Sequence, residues 1–176
     1  LIGQFLSKDT NKRSDKYGGS LENRTRILFE ILEEIEQETN EDFLIGVRLS
    51  PERFGLDISE MIILYKNLCQ KTDIHFIDLS LWDSFKLLDS EAYKGKSLLK
   101  IFSEINREGK KLTVAGKIFS YEDIQILAQN NVDFFCLGRA AILDHQFPKR
   151  LKTMGYNFDA YSAPVSRNHL SSEGLS

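Results

Sequence analysis

Two short segments of this chain place a glycine and a cationic residue directly after an apolar run. The run Val132–Leu137 ends in Gly138–Arg139, and the run Leu112–Ala115 ends in Gly116–Lys117. A glycine at the end of a buried strand lets an anion approach the backbone amides, and arginine adds a fixed fork of donors. Either unit alone is equally compatible with an ordinary turn that carries a solvated side chain. Together, on consecutive strands, they predict one shared phosphate site.

The elements that must position these residues alternate along the chain. Near-continuous apolar runs predict strands at 43–50, 74–80, 111–115 and 132–137. The spacing of apolar residues predicts helices at 21–38, 59–70 and 97–108. A further helix begins after Ser120, where Asp123 takes the capping-box position, and Ser20 is the N-cap of the first helix.

Apolar strands separated by helices favour a parallel sheet with right-handed crossovers. We therefore predict an α/β fold made of parallel (β/α) units, about the C-terminal half of a TIM barrel. In such barrels the loops after the last two strands often bind phosphate. A doubly wound sheet is the alternative, but the glycine-rich loop that usually follows its first strand is missing. We assign the half-barrel to residues 1–155 and a polar, loosely ordered tail to 156–176.

The composition excludes several classes of protein. The chain has 176 residues, 41% of them hydrophobic, which suffices for a domain with a substantial core. Its net charge is -3, with acidic and basic residues interleaved, so we expect no nucleic-acid partner and no polybasic membrane surface. No apolar run approaches the roughly 18 residues that a membrane span requires.

The two cysteines indicate a reducing compartment. Cys69 falls in a helical pattern and Cys136 in the last apolar strand, and neither has a Cys or His neighbour at metal-ligand spacing. We interpret both as reduced structural thiols, and we expect no metal site and a cytoplasmic location. Leu1 is not an initiator Met, which indicates that the chain need not start where its gene does.

Four sequence blocks carry a family pattern: Gln4–Ser7, Thr10–Arg24, Gly46–Pro51 and Leu137–Ala140. The second block is long and ordered, whereas each of the others would be weak alone. Together they resemble the C-terminal half of the Old Yellow Enzyme family of FMN-dependent NAD(P)H:flavin oxidoreductases, over about residues 1–155.

The resemblance implies FMN as cofactor, NAD(P)H as reductant, and a role for five residues. Arg48 would lie beside N1 of the flavin, where a cation stabilises the negative charge that develops when the ring accepts hydride. Gly138 and Arg139 match the family's phosphate-binding pair, and Gly116 matches a glycine whose amide faces the same phosphate. Lys117 departs from the pattern, because many members have a second glycine there; its side chain either reaches the phosphate or narrows the loop. A structural ion pair is the alternative role for Arg48.

The resemblance also implies that the catalytic residues lie upstream of Leu1. In the family, a His-x-x-His or His-x-x-Asn pair and a proton-donating tyrosine end strand four, just before the segment that matches Leu1. We therefore assign no catalytic residue to this chain. The charged residues of the loop at 10–24 are expected to be structural, and Trp82 either lines a substrate pocket or packs against the barrel rim.

The expected function is that of an FMN-binding oxidoreductase that passes hydride from NAD(P)H to an activated alkene or similar small-molecule acceptor. One alternative is a non-catalytic remnant that binds phosphate or FMN weakly. Another is a different phosphate-binding TIM-barrel enzyme, which the block Thr10–Arg24 disfavours. Half a barrel also has open strand edges and an apolar sheet face, so we expect a homo-oligomer or the missing N-terminal half-barrel as partner.

Overall fold

The computed structural model of the protein describes residues 1–52 and 55–150. The strands are β1 (Gly46–Leu49), β2 (Phe76–Ser80), β3 (Lys111–Ala115) and β4 (Phe134–Cys136). The helices are α1 (Ile2–Leu6), α2 (Leu21–Glu38), α3 (Ile58–Lys71), α4 (Leu98–Ser103), α5 (Tyr121–Gln129), α6 (Arg139–Leu143) and α7 (Phe147–Arg150), and one 3₁₀ turn spans Glu91–Tyr93. No helix within the described ranges is long and apolar enough to cross a bilayer.

The four strands form one parallel sheet in the order β1-β2-β3-β4. The register aligns Arg48 with Asp78, Asp78 with Thr113, and Thr113 with Phe134, so one row of residues crosses the sheet. A helix follows each of the first three strands before the next strand begins. The predicted alternation of strands and helices in a parallel sheet is therefore confirmed.

In the part of the chain that the structure describes, helices cover one face of this sheet. Val47, Ile77 and Leu112 point to that face and are buried in the main apolar core, where Leu64 of α3 and Phe102 of α4 also lie. Because side chains alternate across a strand, their neighbours in sequence point to the opposite face. That second face, which we call the open face, carries Arg48, Asp78, Thr113, Phe134 and Cys136.

Polar side chains fix the starts of the main helices as local sequence predicts. The Ser20 hydroxyl accepts from the backbone N–H of Asn23 at 3.2 Å at the start of α2. At the start of α5, Ser120 Oγ accepts from Asp123 N at 3.0 Å, and the Asp123 carboxylate accepts from Ser120 N at 2.9 Å. This reciprocal pair is the predicted capping box, so the start of α5 follows from four residues of sequence.

The largest differences from the predicted boundaries are in one strand and one helix. The strand predicted from residue 43 begins at Gly46, and Phe43 and Leu44 before it are exposed. The helix predicted over 97–108 ends at Ser103, and Glu108 and Gly109, which both take positive φ, then turn the chain into β3.

The prediction of a buried last strand is wrong. Phe134, Phe135 and Cys136 of β4 are all exposed, Phe134 to 59%. The reason is the position of β4 at the sheet edge: among residues 1–52 and 55–150, no further strand pairs with it and no layer covers the open face. Cys136 is accordingly an exposed thiol, while Cys69 is buried, and both are free. The predicted tail at 156–176 lies outside the described residues.

Candidate functional site

A cavity of about 580 Å³ lies at the carboxyl ends of β2, β3 and β4. Four of the predicted cofactor-binding residues line it together: Gly116, Lys117, Gly138 and Arg139. Trp82, from the loop after β2, lines the same cavity. The carboxyl ends of parallel strands share one edge of a sheet, and this brings the two glycine–cation units side by side.

Gly116 holds two loops close together at this cavity. Its φ is +149°, and a Cβ added there would collide with the backbone carbonyl oxygen of Leu81. The backbone N–H of Ser84 donates to the Gly116 carbonyl at 3.3 Å. A larger residue at position 116 would push the loop after β2 away from the loop after β3.

Lys117 is engaged in an ion pair at the cavity wall. Its ammonium lies 2.9 Å from Oδ2 of Asp83, which follows Trp82. Burial alone would raise the pKa of the Asp83 carboxyl, but Lys117 and the backbone N–H groups of Phe85 and Lys86 together lower it below its ordinary value. The φ of Lys117 is +49°, a left-handed conformation that glycine adopts more easily. The backbone at this position is therefore of the kind for which a second glycine is suited.

Gly138 and Arg139 form the turn into α6. The Gly138 carbonyl accepts from the backbone N–H groups of Ala141 and Ile142 at 3.0 and 3.2 Å. A Cβ at Gly138 would meet open space, so no packing contact accounts for the glycine. The guanidinium of Arg139 lies 5.9 Å from the ring centre of Trp82 and 5.5 Å from that of Phe119. Within the described residues the Arg139 side chain has no hydrogen-bond or ion-pair partner.

Arg48, the fifth predicted residue, stands apart from this cavity on the open face of β1. Its Nη2 donates to Ser80 Oγ at 2.7 Å, and its Nε lies 3.6 Å from Oδ2 of Asp78. The Arg48 side chain remains 66% exposed despite these contacts. It therefore has the structural ion pair of the alternative interpretation but presents its charge to the open face.

Asp78 is the unusual member of this pair. Its Oδ1 is buried and has no hydrogen-bond partner within the described part of the chain. Burial raises the pKa of the Asp78 carboxyl above its ordinary value, and the Arg48 cation offsets only part of that rise. Although Cys136 is exposed, partial desolvation of its sulfur raises the pKa of the thiol; the Asp78 carboxylate adds to the rise and Arg48 opposes it. Arg48, Asp78 and Cys136 thus share one electrostatic environment.

The loop between α1 and α2 is held by structural contacts. Arg24 is 1% exposed and donates to the Leu6 carbonyl, to Gly19 O at 3.0 Å, and to Glu60 Oε1 at 2.7 Å. The Tyr17 hydroxyl donates to the Glu30 carboxylate at 2.8 Å. Arg24 and Tyr17 thus meet partners within the fold, as expected of a structural loop.

Sequence reasoning missed the partners of the two arginines. Asp78, Ser80 and Phe119 were expected only as members of strands or of a loop. The register of a parallel pair would have placed Asp78 beside Arg48, because aligned residues on neighbouring strands share a face. The contact between Phe119 and Arg139 depends on loop geometry and has no comparable signal in the sequence.

A sequence model of the NADH:flavin oxidoreductase / NADH oxidase family matches residues 1–157. The chain belongs to this family. The NADH oxidase of Thermoanaerobacter brockii is 31% identical over 160 residues, which are 86% of this chain and 24% of that protein. A probable NADH-dependent flavin oxidoreductase of Bacillus subtilis is 31% identical over 163 residues, 86% of this chain and 42% of that protein. The resemblance to Old Yellow Enzyme proteins is thereby confirmed.

A solved structure of morphinone reductase shares the fold of this chain. It superposes with a TM-score of 0.69 over 97% of this chain and 46% of that chain, at 22% identity, a likeness that concerns the fold alone. The chain therefore spans between 24% and 46% of the length of these three proteins. Membership of a family of NADH-dependent flavin enzymes favours the oxidoreductase interpretation over an unrelated phosphate-binding barrel.

Proposed function

We propose that these residues supply the phosphate-binding part of an FMN site in an NAD(P)H-dependent oxidoreductase. The observation that carries this proposal is the convergence of Gly116, Gly138 and Arg139 on one cavity, with a cation that has no anionic partner among the described residues. A phosphate monoester would provide that partner, because arginine donors and phosphate oxygens form strong charge-assisted hydrogen bonds.

The residues present fit the phosphate end of FMN. Gly116 lacks the Cβ that would collide with Leu81, and the space beside Gly138 is open, so an anion can approach the backbone there. Arg139 binds the phosphate charge in this proposal. Lys117 contributes to phosphate binding only when its ammonium leaves Asp83. While the ion pair persists, Lys117 joins the loop after β3 to the loop after β2. Of the two roles expected for Lys117, the ion pair favours the one that narrows the loop.

Arg48 serves the ring end of the same cofactor in this proposal. When bound, FMN supplies a ring that takes hydride from NAD(P)H and passes it to an acceptor. Ser80 anchors one Nη of Arg48, so its cation is held in place before negative charge develops. Asp78 partly neutralises that cation when ionised, whereas a protonated Asp78 leaves it uncompensated. An activated alkene or a similar small molecule is the proposed acceptor, as the family resemblance implies.

Uncovered apolar surface supports a partner for this half-sheet. The exposed edges near Phe43 and Phe134 and a groove of about 750 Å³ along α1, α2 and β1 leave apolar surface uncovered. We propose that the remaining barrel strands, from an N-terminal half or a second copy, cover this surface. The cytoplasmic location stays part of the proposal, supported by the two free thiols.

The test is FMN affinity in a complete barrel that contains these residues, measured by quenching of flavin fluorescence. Arg139→Ala should weaken FMN binding roughly 10- to 150-fold, since a hydrogen bond to a charged group contributes about 1.5–3 kcal/mol. Arg150→Ala is the matched control, because Arg150 is exposed and pairs with Asp144 outside the lining of the cavity. Equal FMN affinity in the two variants would place the phosphate elsewhere.

A further inference from the structure

Within the described residues the Arg139 guanidinium lies beside two aromatic rings and forms no hydrogen bond or ion pair. Trp82 comes from the loop after β2 and Phe119 from the loop after β3, and both ring centres lie within 6 Å of the guanidinium. All three side chains line the cavity of about 580 Å³. Two loops and the start of α6 thus meet at a single cation.

An aromatic face holds a guanidinium in a way that leaves its hydrogen-bond donors available. The ring attracts the face of the planar cation, while the N–H groups lie in the plane and point away from that contact. A carboxylate partner would instead occupy those donors. Aromatic contacts therefore suit an arginine that must keep its fork free for a phosphate.

Hydrogen bonds hold the backbone of both aromatic residues. The backbone N–H of Phe119 donates to Asp123 Oδ2 at 2.8 Å, and the Phe119 ring packs with Ala140 and Phe147 in a second apolar cluster. The backbone N–H of Trp82 donates to Glu52 Oε1 at 2.8 Å. The buried Phe119 ring and the held backbone of Trp82 limit the freedom of the Arg139 side chain before a ligand arrives, and this lowers the entropy cost of binding.

We propose that Trp82 and Phe119 are positioning residues, which hold the Arg139 fork in the orientation that binds a phosphate monoester. The inference rests on the proposed function, because it concerns the same phosphate site. It assigns to Trp82 a role in the cofactor cavity rather than in a substrate pocket or in rim packing. Since Trp82 is the single tryptophan of the chain, its fluorescence also reports directly on this site.

The first experiment examines the chain without ligand. The side-chain Nε–Hε resonance of Arg139 should carry a ring-current shift, which Trp82→Leu reduces and Trp82→Phe partly retains. Phe43→Leu is the control, because Phe43 is an exposed aromatic residue at the other end of the sheet. An Arg139 resonance that is identical in the wild type and Trp82→Leu overturns the inference, whatever binds to the site.

The second experiment titrates the same proteins with inorganic phosphate, against chloride at equal ionic strength. Phosphate should change Trp82 fluorescence in the wild type, and the Arg139 resonance should report about 2- to 5-fold weaker binding in Trp82→Leu, the factor expected of an exposed cation–π contact. Trp82→Phe should lose less phosphate affinity than Trp82→Leu, and Phe43→Leu should lose none. Unchanged phosphate affinity in Trp82→Leu contradicts the positioning role alone. A wild type that does not respond to phosphate contradicts the phosphate site and the positioning role together.

Discussion

Replacing Arg24 by methionine removes a buried cation while keeping a side chain of similar length. The Arg24 side chain is 1% exposed and donates to two backbone carbonyls, those of Leu6 and Gly19, and to the Glu60 carboxylate. These contacts join α1, the loop that follows it, α2 and α3. Arg24→Met should therefore destabilise the whole amino-terminal part of the fold.

The magnitude follows from what each partner loses. Leu6 is buried, so its carbonyl is left unsatisfied at a cost of about 1–3 kcal/mol, whereas water can reach the carbonyl of exposed Gly19. The Glu60 carboxylate is 17% exposed and still pairs with Lys8 at 2.7 Å. The cost of breaking its pair with Arg24 therefore stays below the roughly 3–5 kcal/mol of a fully buried ion pair. We expect a decrease of about 2–4 kcal/mol in the free energy of unfolding, a large share of a typical domain's stability.

Urea unfolding followed by circular dichroism measures this change. Arg13→Met is the matched control, because the Arg13 side chain is 51% exposed and its ion pair with Asp15 lies within the same loop. The control should unfold at nearly the wild-type urea concentration. If Arg24→Met unfolds at the same urea concentration as Arg13→Met, the reasoning is refuted, since the buried network would then contribute no more than a surface pair.

Three further predictions concern single residues. Gly116→Ala should destabilise the protein by about 1–3 kcal/mol in urea unfolding, because the new Cβ meets the loop after β2 and φ is positive, whereas Gly3→Ala should be neutral; equal effects would contradict this. The pKa of Asp78 is raised in the folded protein, so the contribution of Asp78 to stability decreases as pH rises from about 4 through that folded pKa. The free energy of unfolding of Asp78→Asn should therefore increase relative to that of the wild type between about pH 4 and pH 7. A difference that stays constant over this range would disprove the prediction. Iodoacetamide should alkylate exposed Cys136 before buried Cys69, whose pKa burial raises to about 11; mass spectrometry showing the reverse order would contradict the burial assignment.

Local signals in the sequence account for most of the helices and strands. The spacing of apolar residues and the Ser20 cap predict α2 over Leu21–Glu38, and the strand predicted over Lys111–Ala115 has those bounds in the structure. The exposure of β4 agrees with the open strand edges expected of half a barrel, whereas the apolar residues of the strand taken alone predict burial. The apolar composition of Phe134 and Phe135 indicates only that a partner surface suits them.

The sequence predicts which residues line the candidate site, but it does not predict the contacts that their side chains make. Gly116 and Gly138 meet because parallel strands end at one edge, a rule that needs only the order of the elements. The partners of Lys117, Arg48 and Arg139 depend on side-chain reach and loop shape, which spacing along the chain does not encode. For that reason the ion pair of Lys117 and the aromatic contacts of Arg139 emerge only from the structure.

The most direct test of the central claim is phosphorus NMR of FMN bound in a complete barrel that contains these residues. The FMN phosphate resonance should shift on binding to the wild type and should move back toward that of free FMN in Arg139→Ala. Arg48→Ala should leave it nearly unchanged, because Arg48 lies on β1, away from the cavity that Gly116, Gly138 and Arg139 line. A phosphate resonance that responds to Arg48→Ala and not to Arg139→Ala would contradict the account.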